Sequence, residues 1–234
     1  MHAFLIVSAE AQAVAADWKG ASAAARASGS HALIVDVTGL TAPAFLPERG
    51  QDAPLIYLRS RDLERDLPAM MGAAPHGIVL PRCEGARDVM RLGARLAVEE
   101  AIQGLADGAT RILALIETAR GALALHTLAD AGERLVGIAW DAESVRAEIG
   151  VPTSRDRDGG LKPPFAQVRS LVLLAAAAAR VAAIDTACPP ESDLAREVEA
   201  ARSDGFEAKL VFEPDHARFV IALGGPAPAP STDN

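Results

Sequence analysis

Aromatic side chains, cysteines and excess positive charge are all scarce in this sequence of 234 residues. Aromatics make up 4% of it, so a core must come from the Ala, Leu, Val and Ile of its hydrophobic half. The cysteines, Cys83 and Cys188, form no Cys-x-x-Cys pair, which argues against a zinc site and for a reducing compartment. No histidine pairs with Cys83, and we expect it to be structural. The net charge is −8 and no segment concentrates positive charge, so we expect no nucleic-acid partner.

Long hydrophobic runs and several catalytic motifs are also missing. The longest apolar run, residues 171–179, is too short to cross a bilayer. Residues 3–7 are apolar, but they lack the positive flank and the length of a signal peptide. We therefore predict a cytoplasmic protein with no membrane partner. The absence of Gly-x-Gly-x-x-Gly, Gly-x-Ser-x-Gly and His-Glu-x-x-His argues against dinucleotide binding, an esterase-type nucleophile and a zinc protease.

Short apolar segments alternate with longer helical ones along the whole chain. We predict eight strands, at residues 3–7, 32–37, 54–59, 77–81, 111–117, 135–140, 181–185 and 208–212. The predicted helices are at residues 11–27, 62–71, 85–106, 119–131, 142–149, 165–179, 192–202 and 214–223. Ser192 is the predicted N-cap of the helix at residues 192–202. Strict alternation with eight strands predicts an α/β fold, a single (β/α)8 TIM barrel, which needs about 250 residues. The barrel would occupy residues 1–223, and the Pro- and Ala-rich residues 224–234 would form a disordered tail.

Chemistry in such a barrel lies at the carboxyl ends of the strands. The strand ends and the loops after them carry many carboxylates and two arginines: Asp36, Arg59, Arg82, Glu84, Glu117, Asp141, Glu143, Ser144, Asp185 and Glu213, with Ser144 as a neutral member. Mg²⁺ prefers one or two protein carboxylates and completes its shell with substrate and water. A guanidinium can bind a substrate carboxylate through two hydrogen bonds. The set therefore suits Mg²⁺ together with a carboxylate-bearing substrate.

Plain structural roles remain open for the same residues. Glu117 would then serve as a helix-capping acid. Arg59 and Arg82 would only neutralise Asp36 and Glu84. Asp185 would be a helix-capping acid, and Asp141 would be a solvated loop acid.

The segment at residues 113–121, Leu-Ala-Leu-Ile-Glu-Thr-Ala-Arg-Gly, resembles a signature of the citrate lyase β-subunit-like proteins in the HpcH/HpaI aldolase superfamily. Other segments resemble that family in the same order. Residues 27–36 are similar to its "SGADAVILD" segment and residues 77–84 to its "GVVLPKVE" segment. The resemblance extends over residues 3–221 and includes the closing segments at residues 183–185 and 200–210.

The resemblance implies a TIM barrel that assembles as a homo-oligomer, a trimer or a hexamer. It also implies Mg²⁺-dependent cleavage or formation of a carbon–carbon bond next to a carbonyl, on a small oxo-acid or an acyl-CoA thioester. The substrate-carboxylate arginine of the family falls on Arg59 and one metal-ligand glutamate on Glu117. Arg82 and Asp36 would assist catalysis. Two further acids are assigned to substrate binding, Glu84 and Asp185.

The second metal-ligand aspartate of the family falls on Ser144, in the segment Trp-Asp-Ala-Glu-Ser-Val at residues 140–145. A hydroxyl is a poor replacement for a carboxylate on Mg²⁺. Either Glu143 or Asp141 substitutes, or metal binding is weak or lost. We assign the metal site to Glu117, Glu143 and Ser144. The alternative function is a catalytically degenerate paralogue that binds an anionic metabolite or a partner subunit.

Overall fold

Eight parallel strands close on themselves in a computed structural model that describes residues 1–7, 18–38, 53–189 and 192–224. Each strand pairs with the next in sequence, and the last pairs with the first. The strands are β1 (His2–Val7), β2 (Ala32–Asp36), β3 (Leu55–Arg59), β4 (Gly77–Leu80), β5 (Arg111–Ile116), β6 (Leu135–Trp140), β7 (Ala182–Asp185) and β8 (Ala208–Val211). The predicted TIM barrel is therefore confirmed, with every strand end within one residue of its prediction.

The helices follow the strands and lie outside the barrel. They are α1 (Trp18–Ala27), α2 (Leu63–Gly72), α3 (Ala86–Gln103), α4 (Ala119–Ala124), α5 (Ala142–Ile149), α6 (Pro163–Ala179), α7 (Leu194–Asp204) and α8 (Pro214–Gly224). The helix predicted at residues 119–131 is wrong in its second half, where a 3₁₀ helix spans Leu125–Asp130.

Helix ends follow local chemistry. Two prolines open α6, where a missing N–H costs nothing. Gly104, with a φ of 68°, ends α3 in the left-handed conformation that glycine adopts without strain. The predicted cap of α7, Ser192, is wrong: Asp193 caps it, since its carboxylate accepts from the N–H groups of Ala195 and Arg196.

Pro68 lies inside α2 without ending it. Proline has no N–H, so the carbonyl of Glu64 one turn earlier loses its helical donor. The Arg95 side chain of α3 donates to that carbonyl at 3.1 Å. The neighbouring helix thus supplies the hydrogen bond that the proline removes.

The apolar side chains form two layers because they alternate along each strand. One layer packs between the sheet and the helices and includes Leu33, Leu58, Ile116 and Ile138. The other fills the barrel interior and consists of Phe4, Ile6, Ala32, Ile34, Tyr57, Val79, Leu113, Leu115, Ala139, Ile184, Ala208 and Leu210. This alternation decides which side chains at the strand ends face the mouth of the barrel.

Two predictions fall largely on residues that the structure does not describe. These are the helix at residues 11–27, in its first part, and the tail at residues 224–234. Within the described ranges, no helix is both long and apolar enough to traverse a bilayer.

A buried ion pair joins the ends of three elements at the face opposite the mouth. The Glu100 carboxylate of α3 accepts two hydrogen bonds from the Arg134 guanidinium, at 2.9 and 2.8 Å. It also accepts from the N–H groups of Gly108 and Thr110. Burial raises the pKa of Glu100, but Arg134 and these N–H donors outweigh it and bring the pKa to about 2, from an ordinary value of 4.5.

This depressed pKa predicts a specific loss of stability in acid. The carboxylate stabilises the fold above about pH 4.5, and the contribution, about 3 kcal/mol, disappears as the pH falls towards 2. Urea unfolding of the wild type and of Glu100→Gln should therefore show a gap at pH 7 that closes at low pH. Equal pH dependence in the two proteins would contradict the assignment.

Candidate active site

Four polar side chains at neighbouring strand ends continue the inward-facing rows of the barrel. Side chains two positions apart on a strand point to the same side. Ile34, Tyr57, Leu115 and Ala139 face the interior. The residues two positions further on are Asp36, Arg59, Glu117 and Asp141. These four therefore lie at the mouth of the barrel, at the carboxyl ends of β2, β3, β5 and β6.

Glu117 is the centre of this group. It is 5% exposed, and Arg59 donates to its Oε1 from Nη2 at 2.8 Å. The main-chain N–H of Arg82 donates to its Oε2 at 2.7 Å. Each carboxylate oxygen can accept more than one bond, so Glu117 retains acceptor capacity. The structure thus brings together Arg59, Arg82 and Glu117, three of the predicted site residues.

Glu117 does not cap the helix that follows it. Thr118 caps α4, since its Oγ1 accepts from the N–H of Gly121 at 2.9 Å. A Cβ at Gly121 would overlap the carbonyl oxygen of Cys83, so glycine lets α4 approach the loop after β4. That approach places the Arg82 N–H against the Glu117 carboxylate. Burial raises the pKa of the Cys83 thiol to about 11, which agrees with a structural role.

Arg82 contributes to the site through its backbone. Its φ of 49° is in the left-handed region, where a side chain costs about 1 kcal/mol or more. In this conformation its N–H donates to Glu117. Such strained positions concentrate at functional sites, where the surrounding structure holds them. The catalytic role that the sequence assigns to the Arg82 side chain stays a prediction.

Asp36 and Glu84 have other partners than the arginines considered from sequence. Asp36 Oδ1 accepts from the N–H and the hydroxyl of Thr38, at 3.0 and 2.6 Å. Glu84 lies beside the start of α4, where it pairs with Arg120 at 3.7 Å and accepts from Thr118. Asp36 thus faces the mouth, whereas Glu84 lies at its outer rim.

The acid nearest to Glu117 in the sheet is Asp141. Ile116 and Trp140 are register partners in β5 and β6, so the next residues on each strand, Glu117 and Asp141, stand side by side. The Asp141 N–H donates to the Ile116 carbonyl at 2.9 Å and continues the ladder. Neighbouring strands are about 4.8 Å apart. Two carboxylates therefore come from adjacent positions at the mouth.

Glu143 and Ser144 are placed differently from Asp141. Glu143 pairs with Arg146 at 2.6 Å and accepts from Ser154 at 3.2 Å. Ser144 donates from Oγ to Asp141 Oδ2 at 2.7 Å. Ser144 thus orients the Asp141 carboxylate, which also caps α5 through the Glu143 N–H. The sequence-based assignment of the metal site named Glu143 and Ser144 in preference to Asp141. The signal that favours Asp141 is its position two residues after Ala139, which faces the barrel interior.

Asp185 does not join the group at the mouth. It follows the outward-facing row of β7 and is buried between the sheet and the helices. Lys209 donates to it at 3.0 Å, Arg169 at 3.2 Å and the Trp140 indole at 3.0 Å. Burial alone would raise the pKa of Asp185, but Lys209 and Arg169 outweigh it and the pKa lies below its usual value. The substrate-binding role stays a prediction that this position does not favour.

The group at the mouth fits Mg²⁺ with an anionic ligand better than a metal held by protein alone. In the described part of the chain, no cluster of three or more His, Cys, Asp or Glu side chains is placed to hold a metal ion. Two carboxylates, Glu117 and Asp141, are the number that Mg²⁺ commonly uses when substrate and water complete its shell. Arg59 Nε is buried and finds no hydrogen-bond acceptor among the described residues. An anionic group would satisfy that donor.

Comparison with known proteins identifies a family for this chain. The family model described as HpcH/HpaI aldolase/citrate lyase matches residues 57–214. A citrate lyase subunit beta-like protein of Mycobacterium tuberculosis is 33% identical over 162 residues, which are 68% of this chain and 54% of that protein. The chain thus spans about half the length of this curated relative.

Solved structures agree over nearly the whole chain. The citrate lyase beta subunit from M. tuberculosis complexed with oxaloacetate and magnesium has a TM-score of 0.73 and 27% identity, and covers 96% of both chains. The CitE protein from the same organism, in complex with magnesium, acetoacetate and coenzyme A, also has a TM-score of 0.73 and 27% identity, over 96% of this chain and 81% of that one. By sequence and by fold, the chain belongs to the HpcH/HpaI aldolase/citrate lyase family.

Proposed function

We propose that this protein is a Mg²⁺-dependent carbon–carbon lyase or aldolase that acts on a small oxo-acid or an acyl-CoA thioester. The observation that carries the proposal is the group at the mouth. There, Arg59 donates to the carboxylate of Glu117, and its buried Nε finds no acceptor among the described residues. Asp141 is the neighbour of Glu117 in the sheet. A cation for an anionic substrate thus lies next to two ligands for a metal.

Each residue has a distinct part in this proposal. Arg59 binds the substrate carboxylate through Nε, which finds no acceptor in the part of the chain that the structure describes. Glu117 and Asp141 hold Mg²⁺, and the N–H of Arg82 fixes the Glu117 carboxylate in place. When bound there, Mg²⁺ supplies the Lewis acid that carbon–carbon cleavage next to a carbonyl needs. Asp36, held by Thr38, faces the same mouth and assists in proton handling.

The ligands of the relatives support the substrate class. The M. tuberculosis structures hold oxaloacetate with magnesium, and acetoacetate with magnesium and coenzyme A. Oxaloacetate and acetoacetate are small oxo-acids of the kind that a guanidinium and a metal bind together. We therefore choose oxaloacetate as the first test ligand.

We also propose that Asp141 takes the place of the family aspartate that falls on Ser144. The two side chains are hydrogen-bonded to each other at 2.7 Å, so a carboxylate is kept at this point of the mouth. The two residues assigned from sequence, Glu143 and Ser144, differ from Asp141 in position or in charge. Ser144 is neutral, and Glu143 is engaged by Arg146 and Ser154.

Titration calorimetry with Mn²⁺ and Mg²⁺ in the presence of oxaloacetate tests the metal site. The wild type should bind either metal. Asp141→Asn should weaken binding by at least about tenfold to 100-fold, the usual effect of losing a group that only orients a ligand, because a charged ligand is lost while the shape is kept. Glu143→Gln should change it by less than about threefold, since that carboxylate pairs with Arg146.

The two variants decide between the ligand assignments. A large loss in Glu143→Gln with none in Asp141→Asn would overturn the role of Asp141 and restore the assignment made from sequence. No metal binding by the wild type in any titration would overturn the proposed lyase.

The second candidate function is a catalytically degenerate relative that binds an anionic metabolite or a partner subunit. Ser144, in the place of a carboxylate, favours it. So does the engagement of both Glu117 oxygens by Arg59 and Arg82. Such a protein would bind oxaloacetate with the same affinity with or without metal, and titration of oxaloacetate in the presence and in the absence of Mg²⁺ measures this.

We further propose a homo-oligomer, a trimer or a hexamer. Large apolar side chains are exposed on α3, where Val98 and Ile102 are one turn apart, and on α4 at Leu123. Burial of such side chains is what a subunit interface provides.

A further inference from the structure

We propose that Thr186 is a positioning residue for the Asp141 carboxylate, and that the buried ion-pair cluster at the end of β7 holds Thr186 in place for this task. The inference rests on the proposed function, in which Asp141 is a metal ligand. It gives a role to Asp185 and Lys209, which lie outside the mouth. The residues before and after Asp141, Trp140 and Ala142, are each hydrogen-bonded to a side chain at this end of β7.

The residue before Asp141 is tied to β7 by its side chain. The Trp140 indole donates from Nε1 to Asp185 Oδ1 at 3.0 Å, and both side chains are fully buried. Trp140 points outward, so this bond fixes the strand end from behind. It sets the position of the backbone from which Asp141 projects into the mouth.

The residue after Asp141 is hydrogen-bonded to Thr186, the first residue after β7. The Ala142 N–H donates to Thr186 Oγ1 at 3.1 Å. Ala142 is the first residue of α5, and its N–H has no acceptor within that helix. The Thr186 hydroxyl therefore fixes the start of α5. Since Asp141 caps this helix, the same bond limits the directions that its carboxylate can take.

Lys209 locks Thr186 and Asp185 together. Its ammonium group is fully buried and donates to the Thr186 carbonyl at 2.8 Å and to Asp185 Oδ2 at 3.0 Å. Asp185 and Lys209 are also register partners in the sheet. The three residues form one rigid unit that supports both neighbours of Asp141. Groups that orient metal ligands in this way commonly change metal affinity when they are removed.

The test compares three threonine variants by Mn²⁺ affinity in the presence of oxaloacetate, well below their unfolding temperatures. Thr186→Val keeps the shape and removes the acceptor, so we expect the Mn²⁺ Kd to rise about tenfold. Thr186→Ser keeps the hydroxyl and should restore the wild-type Kd. Thr127→Val is the matched control, because Thr127 Oγ1 accepts from the N–H of Ala86, the first residue of α3. It should lower stability with no change in Kd.

Amide hydrogen exchange at Ala142, in the metal-free protein, reports directly on the hydrogen bond from the Ala142 N–H to Thr186 Oγ1. Faster exchange in Thr186→Val, together with the rise in Kd and its rescue by serine, is the expected result. Faster exchange with an unchanged Kd would overturn the positioning role while leaving the proposed function in place. Equal losses of affinity in Thr186→Val and Thr127→Val would also overturn the positioning role, because the loss of affinity would then follow from lower stability alone. No Mn²⁺ binding by the wild type would overturn the proposed function, and the inference with it.

Discussion

Glu117→Gln is expected to lower Mn²⁺ affinity in the presence of oxaloacetate by more than about 100-fold, which exceeds the usual effect of removing a group that only orients a ligand. The carboxylate lies at the centre of the mouth, between the Arg59 guanidinium and the Arg82 N–H. Glutamine has the same size but carries no charge. One of its two polar ends is an amide NH₂, which cannot accept from either donor. The proposed lyase activity should fall with metal affinity.

The control is Glu199→Gln, the same substitution at an exposed site on α7. It should leave metal affinity and activity unchanged. The unfolding temperature of Glu117→Gln has to be measured as well, because an unpaired donor in a buried site is destabilising by about 1–3 kcal/mol. Unchanged Mn²⁺ affinity in a folded Glu117→Gln protein would show that the metal ligands lie elsewhere.

Asp185→Asn is expected to lower the free energy of unfolding by about 3–5 kcal/mol, because it leaves buried cations without their counter-charge. Lys209 is fully buried and its other carboxylate neighbour, Glu197, is 3.9 Å away. Arg169 donates to the same carboxylate and also pairs with Asp204. The result distinguishes a structural carboxylate from one that binds substrate. Urea unfolding at neutral pH measures it.

Asp215→Asn provides the comparison for Asp185→Asn. Asp215 is exposed and pairs only with Arg218 one turn along α8 among the contacts of the described residues, so its loss should not alter the free energy of unfolding. If Asp185→Asn kept the stability of the wild type and only weakened binding of oxaloacetate, the substrate-binding role assigned from sequence would be correct. The buried cluster described at the end of β7 would then be of little energetic consequence.

Sequence patterns predicted the barrel closely because each of its strands is a short apolar run between turn signals. The run at residues 111–117 is an example: burial on both faces requires apolar side chains on both faces, and β5 shows them. Places where the predictions were wrong depend on local hydrogen bonds. Asp193 rather than Ser192 caps α7 because its carboxylate reaches two N–H groups. No periodicity encodes that choice.

The candidate site was only partly predictable. Arg59 and Glu117 were selected because each lies at a strand end and matches a position of the family motif, and the structure joins them in an ion pair at 2.8 Å. Asp141 also lies at a strand end, but the resemblance directed attention to Ser144. Asp185 was grouped with the residues at the mouth because a strand-end position does not tell which face a side chain takes, and its substrate-binding role stays a prediction. Its outward direction follows only from Ala183 and Ile184 being divided between the two apolar layers.

The most direct test of the proposed site is an anomalous difference map from crystals soaked with Mn²⁺ and oxaloacetate. We expect one strong peak within coordination distance of the Glu117 and Asp141 carboxylates, with ligand density against Arg59. A peak bound by Glu143 in place of Asp141, or no peak at the mouth at saturating Mn²⁺, would contradict the proposed metal site.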